Sequence, residues 1–215
     1  MGRVLIACEE SQTICKAFRE LGHEAYSCDL LPESGGHPEW HYQRDVFEVI
    51  NDGWDMMIAH PPCTFLSVSG AWCMYNKDGS INQERLKNQN DALDFVRKLM
   101  DSPIERIAIE NPISVISSKI RKPDQIIQPY MFGDKASKST CLWLKNLPLL
   151  TPTNIVEKGE FKEWIDPKTG KKKRQAMWIY EAMNKAKTKQ ERQTLRSKTF
   201  QGIANAIADQ WGKLI

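Results

Sequence analysis

Apolar positions in the first 60 residues fall into short unbroken runs, separated by polar stretches with helical spacing. Arg3 to Cys8 (RVLIAC) is apolar through most of its length, as a strand covered on both faces of a parallel sheet must be. Ser11 to Leu21 places Ile14, Cys15, Phe18 and Leu21 on one helical side, with Gly22 as the stop. His23 to Asp29 (HEAYSCD) reads as a second strand ending in an acid. Gln43 to Val46 leads on to Asp55 to Ala59 (DMMIA), another buried strand, which runs into His60-Pro61-Pro62-Cys63. Asn82 to Met100 carries Leu86, Leu93, Val96, Leu99 and Met100 at helical spacing, and Arg106 to Glu110 (RIAIE) is the next strand, ending at Asn111-Pro112. This alternation predicts an α/β domain, a mostly parallel sheet with helices on both faces. There is no internal repeat, and the only change of composition that suggests a boundary lies near Pro152.

Ligands of such sheets bind beyond the carboxyl ends of the strands. Here those ends carry Cys8-Glu9-Glu10-Ser11, Asp29, Asp45, Pro62-Cys63 and Glu110-Asn111. Collection of reactive and polar residues at one edge is the first sign of function in the chain.

Charge divides the sequence further. The net charge is only +3, but residues 157–198 hold 13 Lys/Arg against 6 Asp/Glu, densest at Lys171-Lys172-Lys173-Arg174. Phe161, Trp164, Trp178 and Tyr180 interleave with these charges, as rings that stack on bases or pack locally. At 215 residues, 41% hydrophobic and 27% charged, the chain is long enough to bury roughly 70% of its unfolded surface without staples. Mean hydropathy is −0.51, and the uncharged run Met56–Asn76 is broken by Pro61, Pro62 and Gly70, so no membrane partner is expected. Only four apolar residues follow Met1-Gly2-Arg3, too few for a secretory signal, which points to a reducing cytoplasm with its six cysteines as thiols. They form no CxxC pair, so no metal is expected.

Two residues stand out as chemistry. Cys63 follows a buried strand and two prolines, a stiff loop that can present a thiol, and a nucleophilic thiol needs a helix end or a nearby cation to ionise. A buried loop cysteine is the plainer alternative. Glu110 ends a strand expected beside the one that leads to Cys63. A carboxyl there can hydrogen-bond a heterocycle under covalent attack, or can simply be solvated.

The run PPCTFLS resembles the proline–cysteine loop of the DNA (cytosine-5) methyltransferases, and Ile109-Glu110-Asn111-Pro112 resembles their Glu-Asn-Val motif. Thr199 to Ala208 (TFQGIANAIA) is similar to the family's last motif, the Gly-Asn-Ala helix. Order and spacing agree over about 200 residues, and the stretch from Pro129 to Leu150 looks like the short versions encoded by bacteriophages and prophages. The resemblance implies a Rossmann-like class I methyltransferase sheet with a small basic insertion. The core would be residues 1–150, the target-recognition segment 151–198, and the returning helix 199–215. It implies S-adenosylmethionine as cofactor and methyl transfer to carbon 5 of cytosine in DNA, either a flipped base in duplex or single-stranded. A phage-encoded protein of this kind works in the bacterial host cytoplasm.

Carried over residue by residue, Cys63 attacks carbon 6 and Glu110 contacts the ring nitrogen and exocyclic amine. Asp29 binds the cofactor ribose, Asp45 and Val46 meet the adenine, and Asn205 holds the methionine end near Cys8, Glu9, Ser11, Gln12 and Thr13, with Pro62 alongside. The family's first motif is rich in glycine, whereas ACEESQT has none. The amides of Ser11, Gln12 and Thr13 at a helix start would then meet the methionine carboxylate, and Glu9 and Glu10 its ammonium. Lys138 stands where the family's Arg-x-Arg motif is missing. Lys138, Lys171, Lys172, Lys173 and Arg174 are the expected nucleic-acid contacts, mostly to phosphates. Two other readings remain open: a catalytically silent DNA-binding or decoy protein of the same fold, and pyrimidine modification of RNA or a free nucleotide.

Overall fold

The computed structural model describes residues 1–215, apart from the side chains of Lys189, Gln190 and Gln193. The elements are β1 (Arg3–Ala7), α1 (Thr13–Glu20), β2 (Glu24–Asp29), β3 (His41–Gln43), β4 (Met56–Ala59), α2 (Gln83–Met100), β5 (Arg106–Pro112) and α3 (Ile116–Lys119). They continue with β6 (Gln125–Ile127), β7 (Thr140–Lys145), β8 (Phe161–Ile165), β9 (Lys172–Ala176), α4 (Met177–Lys185), α5 (Lys189–Ser197) and α6 (Gln201–Gly212).

Seven strands form one sheet in the order β3-β2-β1-β4-β5-β7-β6. β1 to β5 run parallel, and β7 alone runs against its neighbours β5 and β6. The expected α/β class and mostly parallel sheet are therefore present. β6 and β7 lie in a stretch whose hydrophobic pattern predicts no strand. Trp143, Leu142 and Cys141 of β7 are buried, but β6 has only three residues, one of them exposed, and polar residues flank both.

The pleat sends alternate residues to opposite faces. Val4, Ile6, Met56, Ile58, Ala108 and Leu142 pack against α1 and α6 on one side. Leu5, Ala7, Met57, Ala59, Ile107, Ile109 and Trp143 pack against α2 on the other. Both faces are dry, which is why these strands read as unbroken apolar runs. α6 closes the first face with Ile203, Ala204, Ile207, Ala208 and Trp211. Its entry demands glycine at 202: a Cβ there would lie 1.9 Å from the Phe132 carbonyl oxygen, and the Gly202 amide donates to Asp134 at 2.9 Å.

β8 and β9 form a separate antiparallel hairpin that carries most of the basic run. The chain entering it runs along residues 130–138: Val156 N donates to Tyr130 O at 2.9 Å and Ser137 Oγ to Lys158 O at 2.7 Å. Among the described residues, no helix is long and apolar enough to cross a membrane.

Candidate active site

Ala7, Ala59 and Ile109 are in register across β1, β4 and β5, so Cys8, His60 and Glu110 follow side by side at the carboxyl edge of the sheet. From His60 the chain turns through Pro61 and Pro62 to Cys63. The Cys63 carbonyl accepts from the amides of Leu66 and Ser67 at 3.1 and 2.9 Å, which curls the loop tightly behind the thiol. Neighbouring elements fix this turn. Asn111 Nδ2 on β5 donates to Pro61 O at 2.8 Å, and Arg85 Nη2 and Gln89 Nε2 on α2 donate to Thr64 O and Phe65 O at 3.2 and 3.1 Å. Val115 N donates to Leu66 O at 2.9 Å and Val68 N to Ile113 O at 3.2 Å. Cys63 is thus half-buried on a braced loop, with Pro62 exposed beside it.

Glu110 pairs with His60, whose Nδ1 lies 2.8 Å from Oε2; since an ionised carboxylate only accepts, Nδ1 carries the donated proton. Their side chains are 16% and 13% exposed. Burial alone would raise the Glu110 carboxyl, but the His60 hydrogen bond and the Lys138 charge hold it below the ordinary range. Burial would lower His60, yet Glu110 and then Glu9 keep its imidazole above the ordinary value. The Cys63 thiol is pushed up, first by burial and then by the Glu110 charge, with Lys138 and Arg196 opposing. The cations expected beside the thiol are present, but burial outweighs them and Cys63 rests protonated. His60 and Arg196 were not singled out by sequence, and Asn111 only as the neighbour of Glu110 at the end of its strand. His60 had one legible signal, its place just past a buried strand and before two prolines.

Glu9 lies elsewhere than expected. Its carboxylate is buried and accepts from the amides of Ile14 and Cys15 at 2.8 and 3.2 Å, so the protein's own anion fills part of the α1 N-terminus. Burial dominates, and the Glu9 carboxyl is raised despite both amides. Gln12 also turns inward: Nε2 donates to His37 O at 2.8 Å and Oε1 accepts from His37 N at 3.1 Å. Cys8 and Gln12 have φ of 60° and 57°, left-handed positions that glycine would take without strain. The backbone bends as a glycine-rich turn would, on residues that carry side chains.

Of the remaining expected cofactor residues, Ser11 and Thr13 belong to that turn, and Asp29 and Asp45 act on Cys8 through their charge. The Ser11 and Thr13 hydroxyls are 3.1 Å apart, and among the described residues the amides of Ser11, Gln12 and Thr13 have no acceptor. Asp29 Oδ1 accepts from Leu31 N and Asp45 Oδ1 from Phe47 N, both at 2.9 Å, leaving the second oxygen of each without a partner among the described residues. The Cys8 thiol is raised by burial first and then by the charges of Asp29, Cys28 and Asp45. Val46 is buried under the sheet. Asn205 is exposed on α6, with Oδ1 accepting from Gln201 Nε2 at 2.8 Å.

The basic hairpin is partly neutralised by its own strands. Lys172 pairs with Glu163 at 2.7 Å, Lys173 with Asp166, and the Arg174 guanidinium sits 5.0 Å over the Phe161 ring. The Lys173 ammonium holds the Asp166 carboxyl at about 2. Lys171 has no side-chain partner among the described residues. Trp178 packs locally, donating to Ser137 O at 3.1 Å and meeting Phe200 edge-on, whereas Trp164 is 39% exposed. Lys138 Nζ donates to Lys198 O at 3.3 Å, which ties the end of the basic segment to the site.

The strand order, with one antiparallel strand beside the edge of an otherwise parallel sheet, is the α/β architecture expected from the sequence. No known family and no curated protein matches the sequence. Among solved structures it is similar to a candidate DNA modification methyltransferase encoded within a prophage (E. coli). The two are 15% identical, the match covers 73% of this chain and 52% of that one, and the TM-score is 0.49. It is also similar to the S. pombe Dnmt2 methyltransferase, 16% identical over 69% of this chain and 50% of that one, with a TM-score of 0.42. The chain spans about half the length of each.

Proposed function

We propose that this protein transfers a methyl group from S-adenosylmethionine to carbon 5 of cytosine in DNA, through a covalent bond from Cys63. The observation that carries the reading is the placing of a braced thiol within the field of a carboxylate on the adjoining strand, Cys63 and Glu110, at the ligand-binding edge of the sheet. Cys63 bonds to carbon 6 from above the ring, so the target base must leave the stack. Glu110 contacts the ring nitrogen and exocyclic amine, where charge develops. Because the thiol rests protonated, its proton must pass to solvent before sulfur attacks, and the charges of Lys138 and Arg196 favour the thiolate that results.

The donor set around Cys8 fits S-adenosylmethionine. Free carboxylate oxygens of Asp29 and Asp45 suit the ribose hydroxyls and the adenine amine, and the amides of Ser11, Gln12 and Thr13 suit a carboxylate. In this reading Asn205, Pro62 and Val46 complete the cofactor site, as the resemblance implies. Glu9 serves the helix rather than the cofactor's ammonium, a role that leaves Glu10 as the nearer acid. When bound, the cofactor supplies an electrophilic methyl group.

Residues 151–198 act as the target-recognition segment, with Lys171, Lys172, Lys173, Arg174 and Lys138 contacting phosphates. Glu9's hold on the α1 amides also favours a second reading, a silent DNA-binding protein of this fold. Incubation with methyl-labelled S-adenosylmethionine and duplex DNA, single-stranded DNA, RNA or dCMP separates them. Label at carbon 5 of DNA cytosine, lost in Cys63→Ala, is expected. Label in RNA or dCMP alone moves the substrate, and no label on any acceptor ends the methyl-transfer reading.

A further inference from the structure

His60 lies outside the family resemblance and has no part in the steps above. It is bonded to one acid and within the field of a second at the sheet edge: Glu110 is 2.8 Å from Nδ1, and the buried Glu9 side chain adds its charge from the loop after β1. Lys138, from the loop before β7, opposes them. These are the charged groups that face the ring. Nε2 is buried, with no partner among the described residues. Burial works against the charged ring, but the carboxylate hydrogen-bonded at Nδ1, with the Glu9 charge behind it, outweighs that cost and holds the proton on the imidazole.

Resting on the methyl-transfer reading of this site, we propose that His60 is a positioning residue that stores, on the nitrogen facing Glu110, the proton which Glu110 hands to ring nitrogen 3 of the target cytosine. The step balances once the Cys63 thiol has given its proton to solvent, from which sulfur regains it at the end of the cycle. As the Cys63 sulfur bonds to carbon 6, the electron pair of the 5,6 double bond moves to carbon 5 and into the ring. Nitrogen 3 takes a proton from the Glu110 carboxyl, which has received it from Nδ1. The imidazolium ends neutral and Glu110 ends ionised, as it began. After methylation the carbon 5 proton leaves to solvent, the carbon–sulfur bond breaks with its pair returning to sulfur, and nitrogen 3 gives its proton back along the same path.

His60→Asn tests this, because asparagine keeps a donor towards Glu110 and carries no titrating proton. Release of tritium from carbon 5 of cytosine in an oligonucleotide, without cofactor, is followed from about pH 5 to about pH 9, together with methyl incorporation. In the wild type the rate climbs with pH as the thiol ionises and levels off once His60 loses its proton. In His60→Asn that break is absent and turnover falls about 100-fold, with KM for DNA unchanged. By NMR, the wild-type His60 ring titrates above about 6.5 and falls in Glu110→Gln.

A His60→Asn enzyme with the wild-type rate and pH profile overturns the proposal, as does a His60 titration indifferent to Glu110→Gln. Should His60→Asn not fold, His60→Gln and the NMR titration decide the matter. A wild-type protein that neither exchanges nor methylates cytosine fails at the underlying reading, and the role of His60 falls with it.

Discussion

Asn111 donates from Nδ2 to the carbonyl of Pro61 at 2.8 Å, and so fastens the loop of Cys63 to the strand that carries Glu110. Its own Oδ1 is buried without a partner among the described residues. Removing the side chain strands the Pro61 carbonyl, a loss of about 1–3 kcal/mol. Asn111→Ala should lower the denaturant midpoint by that much. Methyl transfer should fall further than stability does, because the loop that presents the thiol is no longer tied to the strand of Glu110. Equal losses in both would reduce Asn111 to a packing residue.

The His60–Glu110 pair gives stability a definite pH dependence. Glu110 is depressed on folding, so its contribution is present above about 4.5 and lost as pH falls through the folded value. His60 is raised, so its contribution is present below about 6.5 and lost as pH rises through the folded value. The stability gap between wild type and His60→Asn should therefore be widest between those limits and close on both sides. Urea melts across that range measure it, and a gap flat in pH would mean that the two groups do not titrate together.

In the hairpin, Glu163 and Asp166 already occupy two of the expected DNA contacts, Lys172 and Lys173. Glu163→Gln with Asp166→Asn should free both lysines, tighten DNA binding and steepen its salt dependence by about 0.9 slope unit for each new phosphate contact. Replacing Lys171 alone by Ala should flatten the slope by about the same unit. Filter binding over a salt series reads both, and unchanged slopes would leave the run as solvated surface.

Cys8, at φ 60°, offers a cleaner test of backbone strain. Cys8→Ala and Cys8→Gly lose the same thiol, yet glycine alone fits the left-handed bend. Cys8→Gly should be the more stable by about 1 kcal/mol, the reverse of the usual preference for alanine. Thermal melts of the two variants decide it.

The parallel half of the sheet was legible because burial on both faces leaves an unambiguous apolar signature, as in RVLIAC and RIAIE. β6 and β7 were not. β6 has three residues, and nothing local shows that Thr140–Lys145 pairs antiparallel with a strand some 30 residues earlier. Cys63 and Glu110 could be singled out because one follows and the other lies near the end of a recognisable strand. Glu9 could not, since a side chain that reaches forward to cap Ile14 and Cys15 looks the same in sequence as one that faces a ligand. The pairing of Lys172 and Lys173 was hidden for a similar reason, because it depends on hairpin register rather than on the run of like charges.

The basic segment leaves and rejoins the body at pinned points. Thr151 and Gln210 exchange two hydrogen bonds of 2.8 Å, and on the return Gly202 is held by Asp134 and Lys198 by Lys138. A stretch clamped at both its margins can change length cheaply, since doubling a closed loop costs only about 0.6 kcal/mol. The basic segment can therefore be swapped or enlarged over generations while the sheet that holds Cys63 and Glu110 stays untouched, a cassette on a fixed chassis.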